Sequence, residues 1–142
     1  MPSFRRFTLL LTATLAGALL AGCHANPLTM SAPSRSTTLA VPKGTDPQTV
    51  IDCAERSIQT LARGNSHWIR QPTVKDIPGG RFETGDFGEE NIIGFRVRLL
   101  VEAGEPAASA ALTIKGAGPY FSDLGVDAAM NSFVDETRKC LK

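Results

Sequence analysis

The sequence predicts an α+β fold in which a small antiparallel sheet of three to four strands is covered by one N-terminal and one C-terminal helix. Two segments repeat apolar residues at helical spacing, one after residue 46 and one at the carboxyl end. Between them, residues 95–102 alternate apolar and polar side chains, as a strand with one buried face does. Because the apolar sheet face has to be covered and two amphipathic helices are available, residues 46–142 are expected to form a single two-layer sandwich.

An apolar run near the amino terminus has the order of a secretory signal. Arg5 and Arg6 precede about fifteen apolar or small residues, 7–21, and the run leads directly to Cys23. As a helix this run would be about 22 Å long, which is short of the roughly 30 Å hydrocarbon core of a bilayer. The pattern therefore favours a cleaved signal peptide over residues 1–22 rather than a membrane-spanning helix.

The end of this region, Leu20-Ala21-Gly22-Cys23, resembles the lipobox of bacterial lipoproteins. The resemblance implies cleavage before Cys23, a diacylglyceryl thioether on its sulfur and an acyl chain such as palmitate on its amine. Two or three chains would anchor the protein irreversibly, since each buried methylene contributes about 0.8 kcal/mol. In Gram-negative lipoproteins an aspartate after the cysteine often causes retention in the inner membrane, and here that position is His24. The resemblance thus implies the periplasmic face of the outer membrane, and it extends no further than Cys23.

Removal of the signal leaves a nearly neutral chain, residues 23–142. The full sequence has 15 Lys and Arg against 14 Asp and Glu, and the loss of Arg5 and Arg6 turns this small basic excess into a small acidic one. A chain without an excess of Lys and Arg lacks the positive charge that binds the phosphates of nucleic acid, so no nucleic-acid partner is expected. Residues 24–45 are rich in Ser, Thr, Pro, Ala and Gly, which predicts a lipidated flexible tether over 23–45.

Cys53 and Cys140 remain after Cys23 is used for lipid. In an oxidising compartment they allow one intramolecular pairing, which predicts a Cys53–Cys140 disulfide. The alternative is a metal site with His67 as the third ligand, but the paired CxxC spacing of zinc sites is missing. We therefore expect no metal and no cofactor.

The first helix is predicted to begin at Asp46, which can cap the free N–H groups, with Pro47 at the first helical position. Gly64 and Asn65 end it. Within the preceding tether, residues 37–41 alternate and are the one part that can dock as an edge strand. The core-facing stripe of the helix comprises Val50, Ile51, Ala54, Ile58, Leu61 and Ala62.

The middle of the chain has weaker signals. Residues 67–70 predict a short strand or the start of one, which Pro72 limits, and residues 81–84 predict another short strand. Trp68 is expected to have a packing role rather than a ligand-stacking one. The acidic segment 85–91 lacks the ligand spacing of a calcium loop and is expected to be a solvated turn.

The strongest strand signal predicts a β-hairpin from residues 95–102 and 107–115. Its polar face carries Arg96, Arg98 and Lys115, for which a solvated face is favoured over an anion-binding patch. Ser122 or Asp123 is then expected to cap the last helix. The apolar stripe of that helix comprises Val126, Ala129, Met130, Phe133, Val134, Cys140 and Leu141.

Three functions are compatible with this sequence. The first is a non-enzymatic binding or structural protein of the envelope, anchored to the membrane by its lipid and bound to a protein partner in the periplasm. The second is a periplasmic inhibitor or immunity protein that inserts the loops at 79–91 or 116–122 into a wall-degrading enzyme. The third is a small hydrolase using His67 and a carboxylate such as Glu89, but no GxSxG or HExxH motif accompanies them. We expect no catalysis and assign no catalytic residue.

Overall fold

The described residues form five strands and two helices, in the order β-α-β-β-β-β-α. The computed structural model describes residues 31–102, 109–118 and 123–142, and residues 31–142 form one compact unit. Cys23 and the predicted signal peptide lie outside the described residues. The elements are β1 (Ser34–Ala40), α1 (Pro47–Gly64), β2 (Pro72–Asp76), β3 (Arg81–Thr84), β4 (Gly94–Glu102), β5 (Ser109–Ala117) and α2 (Val126–Cys140).

The strands form one sheet in the order β1-β5-β4-β3-β2, and every neighbouring pair is antiparallel. The α+β class with two helices is therefore confirmed, but in the described residues the sheet has five strands where three to four were predicted. The additional strand is β1, whose seven residues all pair with β5, from Ser34 opposite Lys115 to Ala40 opposite Ser109.

The predicted boundary between tether and domain is wrong in its placement at residues 45 and 46. β1 lies within the sheet, and Ala32, Leu39 and Val41 are buried. Composition suggested a linker because β1 is rich in hydroxyl side chains and only Leu39 within it enters the core. Its position is fixed instead by the backbone ladder with β5, which composition does not reveal.

α1 agrees with its predicted ends. The Asp46 carboxylate accepts hydrogen bonds from the Thr49 backbone N–H at 2.9 Å and from the Thr49 hydroxyl at 2.7 Å. Pro47 is the first helical residue, and Asn65 follows Gly64 as the C-terminal cap. α2 begins at Val126, where the Asp123 carboxylate accepts from the N–H groups of Gly125 and Val126 at 2.8 Å.

The short strand predicted at residues 67–70 is wrong in position. Only an isolated bridge joins Trp68 to Phe95, and the strand itself is Pro72–Asp76. Pro72 begins this strand instead of limiting it. Proline is tolerated there because β2 is an edge strand, on which a missing N–H costs no ladder bond. The strand predicted at 81–84 is confirmed as β3.

The core lies between one face of the sheet and both helices. β4 and β5 supply Val97, Leu99, Leu112 and Ile114 to it, all fully buried. The two predicted hairpin strands are confirmed, with β5 running to Ala117, while residues 103–108 that join them lie outside the described part. The helices add Val50, Ile51, Ala54, Ile58, Val126, Ala129, Met130 and Phe133.

A disulfide joins the two helices. Cys53 near the start of α1 bonds Cys140 at the end of α2, with 5.6 Å between their Cα atoms, as predicted. Close by, the Thr137 hydroxyl is 3.1 Å from the Ser57 hydroxyl, which donates to the Cys53 carbonyl at 2.8 Å. The helices are therefore connected by a covalent bond and by a buried hydroxyl pair.

Candidate functional site

The face of the sheet that points away from both helices, the open face, carries the charged side chains of β3 and β4. Even-numbered residues of β4 point to this open face, and in its middle Leu100 is 40% exposed. Both helices cover the other face, and among the described residues of β3 and β4, Arg81, Leu100 and Glu102 are exposed on this one. Small or hydroxyl-bearing residues on β1 and β5 surround Leu100, namely Ser36, Thr38, Ala40, Ser109, Ala111 and Thr113.

Two arginines are held side by side on the open face by one buried carboxylate. Nε and Nη2 of Arg81 donate to Oε1 of Glu83 at 3.0 and 2.8 Å, and Nε of Arg98 donates to the same oxygen. The Glu83 side chain is 6% exposed, whereas both arginines reach solvent. Burial acts to raise the pKa of Glu83, but the hydrogen bonds from Arg98 and Arg81 outweigh it and lower the pKa.

A loop over residues 85–93 closes one end of the open face. Its Phe87 ring is buried beneath two cations, with the Arg98 guanidinium carbon 4.2 Å and Lys115 Nζ 5.3 Å from the ring centroid. Glu90 bonds Lys115 Nζ at 2.8 Å and accepts from the Ala32 backbone N–H at 2.6 Å. These two hydrogen bonds lower the pKa of Glu90, the one from Lys115 more strongly.

Arg96 lies fully buried under the same loop. Its Nη1 donates to the backbone carbonyls of Asp86, at 3.1 Å, and Glu89, while its Nε and Nη2 have no hydrogen-bond partner among the described residues. Burial lowers the pKa of Arg96, although Glu90, Asp86 and Glu89 oppose this.

The expectation of a solvated polar face is therefore wrong for Arg96 and incomplete for Arg98 and Lys115. The period-two pattern placed Arg96 on the correct face, but the acidic segment folds back over that end of the sheet. The segment 85–91 is likewise only partly the solvated turn that was expected. Asp86 and Glu89 are exposed, whereas Phe87 is buried beneath the cations.

A second feature is a cleft of about 340 Å³ between the end of α1 and the start of α2. At its base the Trp68 ring packs against Phe95 and Phe133, with ring centroids 5.1 and 6.2 Å apart. Trp68 is 6% exposed, which agrees with the predicted packing role. The rim is formed by Thr60, Leu61, Gly64, Asn65, Leu124, Gly125, Ala128 and Ser132.

His67 does not join Cys53 and Cys140 in a metal site among the described residues. His67 is exposed beside the cleft, where its backbone carbonyl accepts from Phe95 at 2.8 Å, while Cys53 and Cys140 are joined in the disulfide. Within residues 31–102, 109–118 and 123–142, no three His, Cys, Asp or Glu side chains are grouped to hold a metal. In those same ranges, no helix has the length and apolar character needed to cross a bilayer.

The open-face cluster comprises Arg81, Glu83, Phe87, Glu90, Arg96, Arg98 and Lys115. Sequence reasoning did not single out four of them, Arg81, Glu83, Phe87 and Glu90. A signal for Glu83 was present, since Arg81 and Glu83 stand two apart in a predicted strand and so share a face. For Phe87 the signal was an aromatic residue inside a glycine-rich acidic loop. No protein-family model and no curated protein matches this chain. The site is consequently defined by its geometry alone.

Proposed function

We propose that this chain is a lipid-anchored envelope protein whose disulfide-bonded domain binds a protein partner through the open face of its sheet and carries out no catalysis. The single observation behind the binding role is the pair of arginines, Arg81 and Arg98, held by the buried carboxylate of Glu83. Arginines ordered before binding lose little side-chain entropy on contact, and arginine is enriched among residues that dominate interface energies.

The rest of the open face has the composition that such a role needs. Leu100 gives an exposed apolar centre, and small residues around it allow a partner to approach the sheet closely. Arginines next to an apolar centre form the usual combination of a protein-binding patch, in which charged groups lie toward the rim. The partner would carry carboxylates opposite Arg81 and Arg98.

The anchor rests on the resemblance of Leu20-Ala21-Gly22-Cys23 to a lipobox. The disulfide supports an oxidising compartment, since such bonds persist in secreted and periplasmic proteins. We place the protein at the periplasmic face of the outer membrane. Replacing Cys23 by serine should abolish lipidation and globomycin-sensitive processing, and a variant that still gave a membrane-bound, globomycin-sensitive precursor would contradict the anchor.

Binding through the open face is better supported than insertion of the loop at 79–91 into an enzyme. Residues 81–84 of that segment form β3, and Phe87 is turned inward beneath Arg98 and Lys115. Outside β3, the exposed residues of that segment are Gly79, Asp86, Gly88, Glu89 and Asn91. Of the loop at 116–122, residues 116 and 117 belong to β5, and 119–122 lie outside the described residues.

Site-specific photocrosslinking in living cells tests the proposal. A photoreactive side chain at Leu100, in the middle of the open face, should crosslink to a protein of defined mass. The matched control is the exposed Gln48 on α1, on the opposite layer, which should not give that product. Adding Glu83→Gln to the Leu100 probe should lower the yield, because the neutral amide oxygen holds the two arginines less strongly than the carboxylate does.

Two outcomes would refute the binding role as stated. Equal crosslinking from Leu100 and Gln48, or none from Leu100, would mean that the open face is not the contact. A cell-wall-degrading activity of the purified protein, abolished by the double change His67→Ala and Glu89→Ala, would show that the protein is a hydrolase and would contradict a purely binding role.

A further inference from the structure

The two edges of the sheet differ in their protection against pairing with another strand. The β2 edge begins with Pro72, has a register shift between Pro72 and Val74 and carries Lys75. Each of these features hinders hydrogen bonding of an edge strand to another strand. The β1 edge has no register shift, no lysine and no proline within the strand. It is a regular strand of seven residues without proline, and Arg35 is its only charged residue. β1 is therefore the edge suited to pairing.

The register of β1 shows which backbone groups point away from the sheet. The Gly116 N–H donates to the Pro33 carbonyl at 2.8 Å, so odd-numbered residues of this segment exchange hydrogen bonds with β5. Even-numbered residues then direct their N–H and C=O groups outward. β1 pairs with no strand other than β5 in the described part of the chain. The outward-directed residues are all exposed, namely Ser34, Ser36, Thr38 and Ala40.

We propose that β1 pairs antiparallel with β1 of a second copy of this chain, around a two-fold axis at Thr37. In this register Ser34 lies opposite the partner's Ala40, and Ser36 lies opposite the partner's Thr38. All outward backbone groups of both strands then find a hydrogen-bond partner. The strand sequence also avoids a charge clash, because Arg35 lies opposite the partner's Leu39 and not opposite a second arginine.

The placement of α2 fits the same arrangement. α2 contacts both β1 and β5. Strands in a sheet are about 4.8 Å apart, and α2 lies over the pair β1 and β5. One strand spacing between the two β1 strands and about half a spacing on each side place the two α2 axes roughly 10 Å apart, which is a normal distance for packed helices. The joined sheet would therefore be covered by a continuous helical layer.

The charges along α2 complement each other in this pairing. Arg35 Nη2 donates to Asp127 at 3.2 Å, which identifies the side of α2 that faces the β1 edge. At helical spacing that side continues through Asn131 and Val134 to Arg138. The two-fold axis makes the helices antiparallel, so Asp127 approaches the partner's Arg138. This self-complementarity favours a second copy over an unrelated strand as the occupant of the edge.

A cysteine at the axis tests the pairing directly. Thr37 is exposed and would lie opposite its own copy in a non-hydrogen-bonded pair, in which Cα atoms are about 4.5 Å apart. That separation is within disulfide range. The full chain with Thr37→Cys, expressed with its signal, should run as a disulfide-linked dimer on a non-reducing gel. Gln48→Cys, exposed on α1, should stay monomeric, and formation of the Cys53–Cys140 bond verifies oxidising conditions in each sample.

Charged substitutions of Thr37 distinguish specific pairing of the two β1 strands from random collision of the chains. Thr37→Lys and Thr37→Glu should each abolish self-association, measured by co-purification of two differently tagged copies, whereas Thr37→Gln should preserve it. Co-expression of the Lys and Glu variants should restore the complex, because opposite charges then meet at the axis. Absence of a dimer in Thr37→Cys, or unchanged self-association of Thr37→Lys, would overturn the proposal. The disulfide-linked dimer and the co-purification of tagged copies both report on self-association, so neither depends on the partner proposed for the open face.

Discussion

Glu83 organises the open face although its own carboxylate is nearly inaccessible. It accepts hydrogen bonds from Arg81 and Arg98 on a single oxygen, and its side chain is 6% exposed. Removing either arginine would leave the buried charge of Glu83 less well compensated. Such a change lowers the free energy of unfolding by more than the loss of a surface ion pair does. Glu83 thereby links the stability of β3 and β4 to the orientation of both arginines.

Acid should weaken this cluster, because the pKa of Glu83 is lowered in the folded protein. A carboxyl with a lowered pKa stabilises the fold above its unfolded value of about 4.3 and loses that contribution as the pH falls through its folded pKa. Glu83→Gln should lower the free energy of unfolding at pH 7 by about 1–3 kcal/mol. The difference between the native chain and this variant should narrow as the pH falls below the ordinary carboxyl range, as measured by urea unfolding.

The matched control for Glu83 is Glu136, which pairs with the exposed Lys139 within α2 at 3.0 Å. Glu136→Gln should change the free energy of unfolding by less than about 1 kcal/mol, because exposed ion pairs contribute little. A Glu83 variant that behaved like Glu136→Gln at every pH would contradict the central place of Glu83 in the cluster.

Arg96 shows why the site was harder to predict than the strand that carries it. Alternation in residues 95–102 correctly put Arg96 and Arg98 on one face and Val97 and Leu99 on the other. Whether that face is solvated depends on the path of residues 85–93, and local periodicity contains no information on such a long-range contact. The contacts of Arg96 and Arg98 therefore depend on how the loop at 85–93 packs on the sheet, which the structure shows and the sequence does not.

At the level of elements, the cap of α1 was predictable because it is local. Asp46 lies three residues before Thr49, and both of its carboxylate oxygens are used there. Asp46→Ala should lower the free energy of unfolding by about 1 kcal/mol, the usual cost of losing such a cap. Asp46→Asn should retain most of the stability, since its amide oxygen can still accept from the Thr49 N–H. Equal losses in both variants, measured by thermal unfolding, would show that the cap is not the cause.

β1 is the element that local reasoning placed in the tether. Only part of it, residues 37–41, had the alternation of a strand, and the sequence SRSTTLA buries just Leu39. A strand of this kind is specified by its neighbour, since β5 offers a complete ladder from Ser34 to Ala40. α1, β4 and α2 carry their own caps or apolar periodicity, which explains why those elements were predicted closely and β1 was not.

For the whole molecule, the disulfide holds together the layer that covers the sheet. Cys53 and Cys140 are 87 residues apart and join the start of α1 to the end of α2. The bond was predictable from cysteine count and expected compartment alone, without knowledge of the sheet. Closing so long a loop restricts the unfolded chain strongly, and loss of a native disulfide from a small domain costs about 2–5 kcal/mol.

Replacing both cysteines by serine should therefore lower the free energy of unfolding by about 2–5 kcal/mol. Both positions are changed together so that neither thiol is left to mispair. Reductant supplies the matched control, because a thiol reagent should destabilise the native chain toward the level of the double variant and leave the variant unchanged. Hydrogen exchange should rise first in α1 and α2, since β4 and β5 keep their own ladder of nine residue pairs. An equal rise across the hairpin strands would mean that the two layers unfold as one cooperative unit.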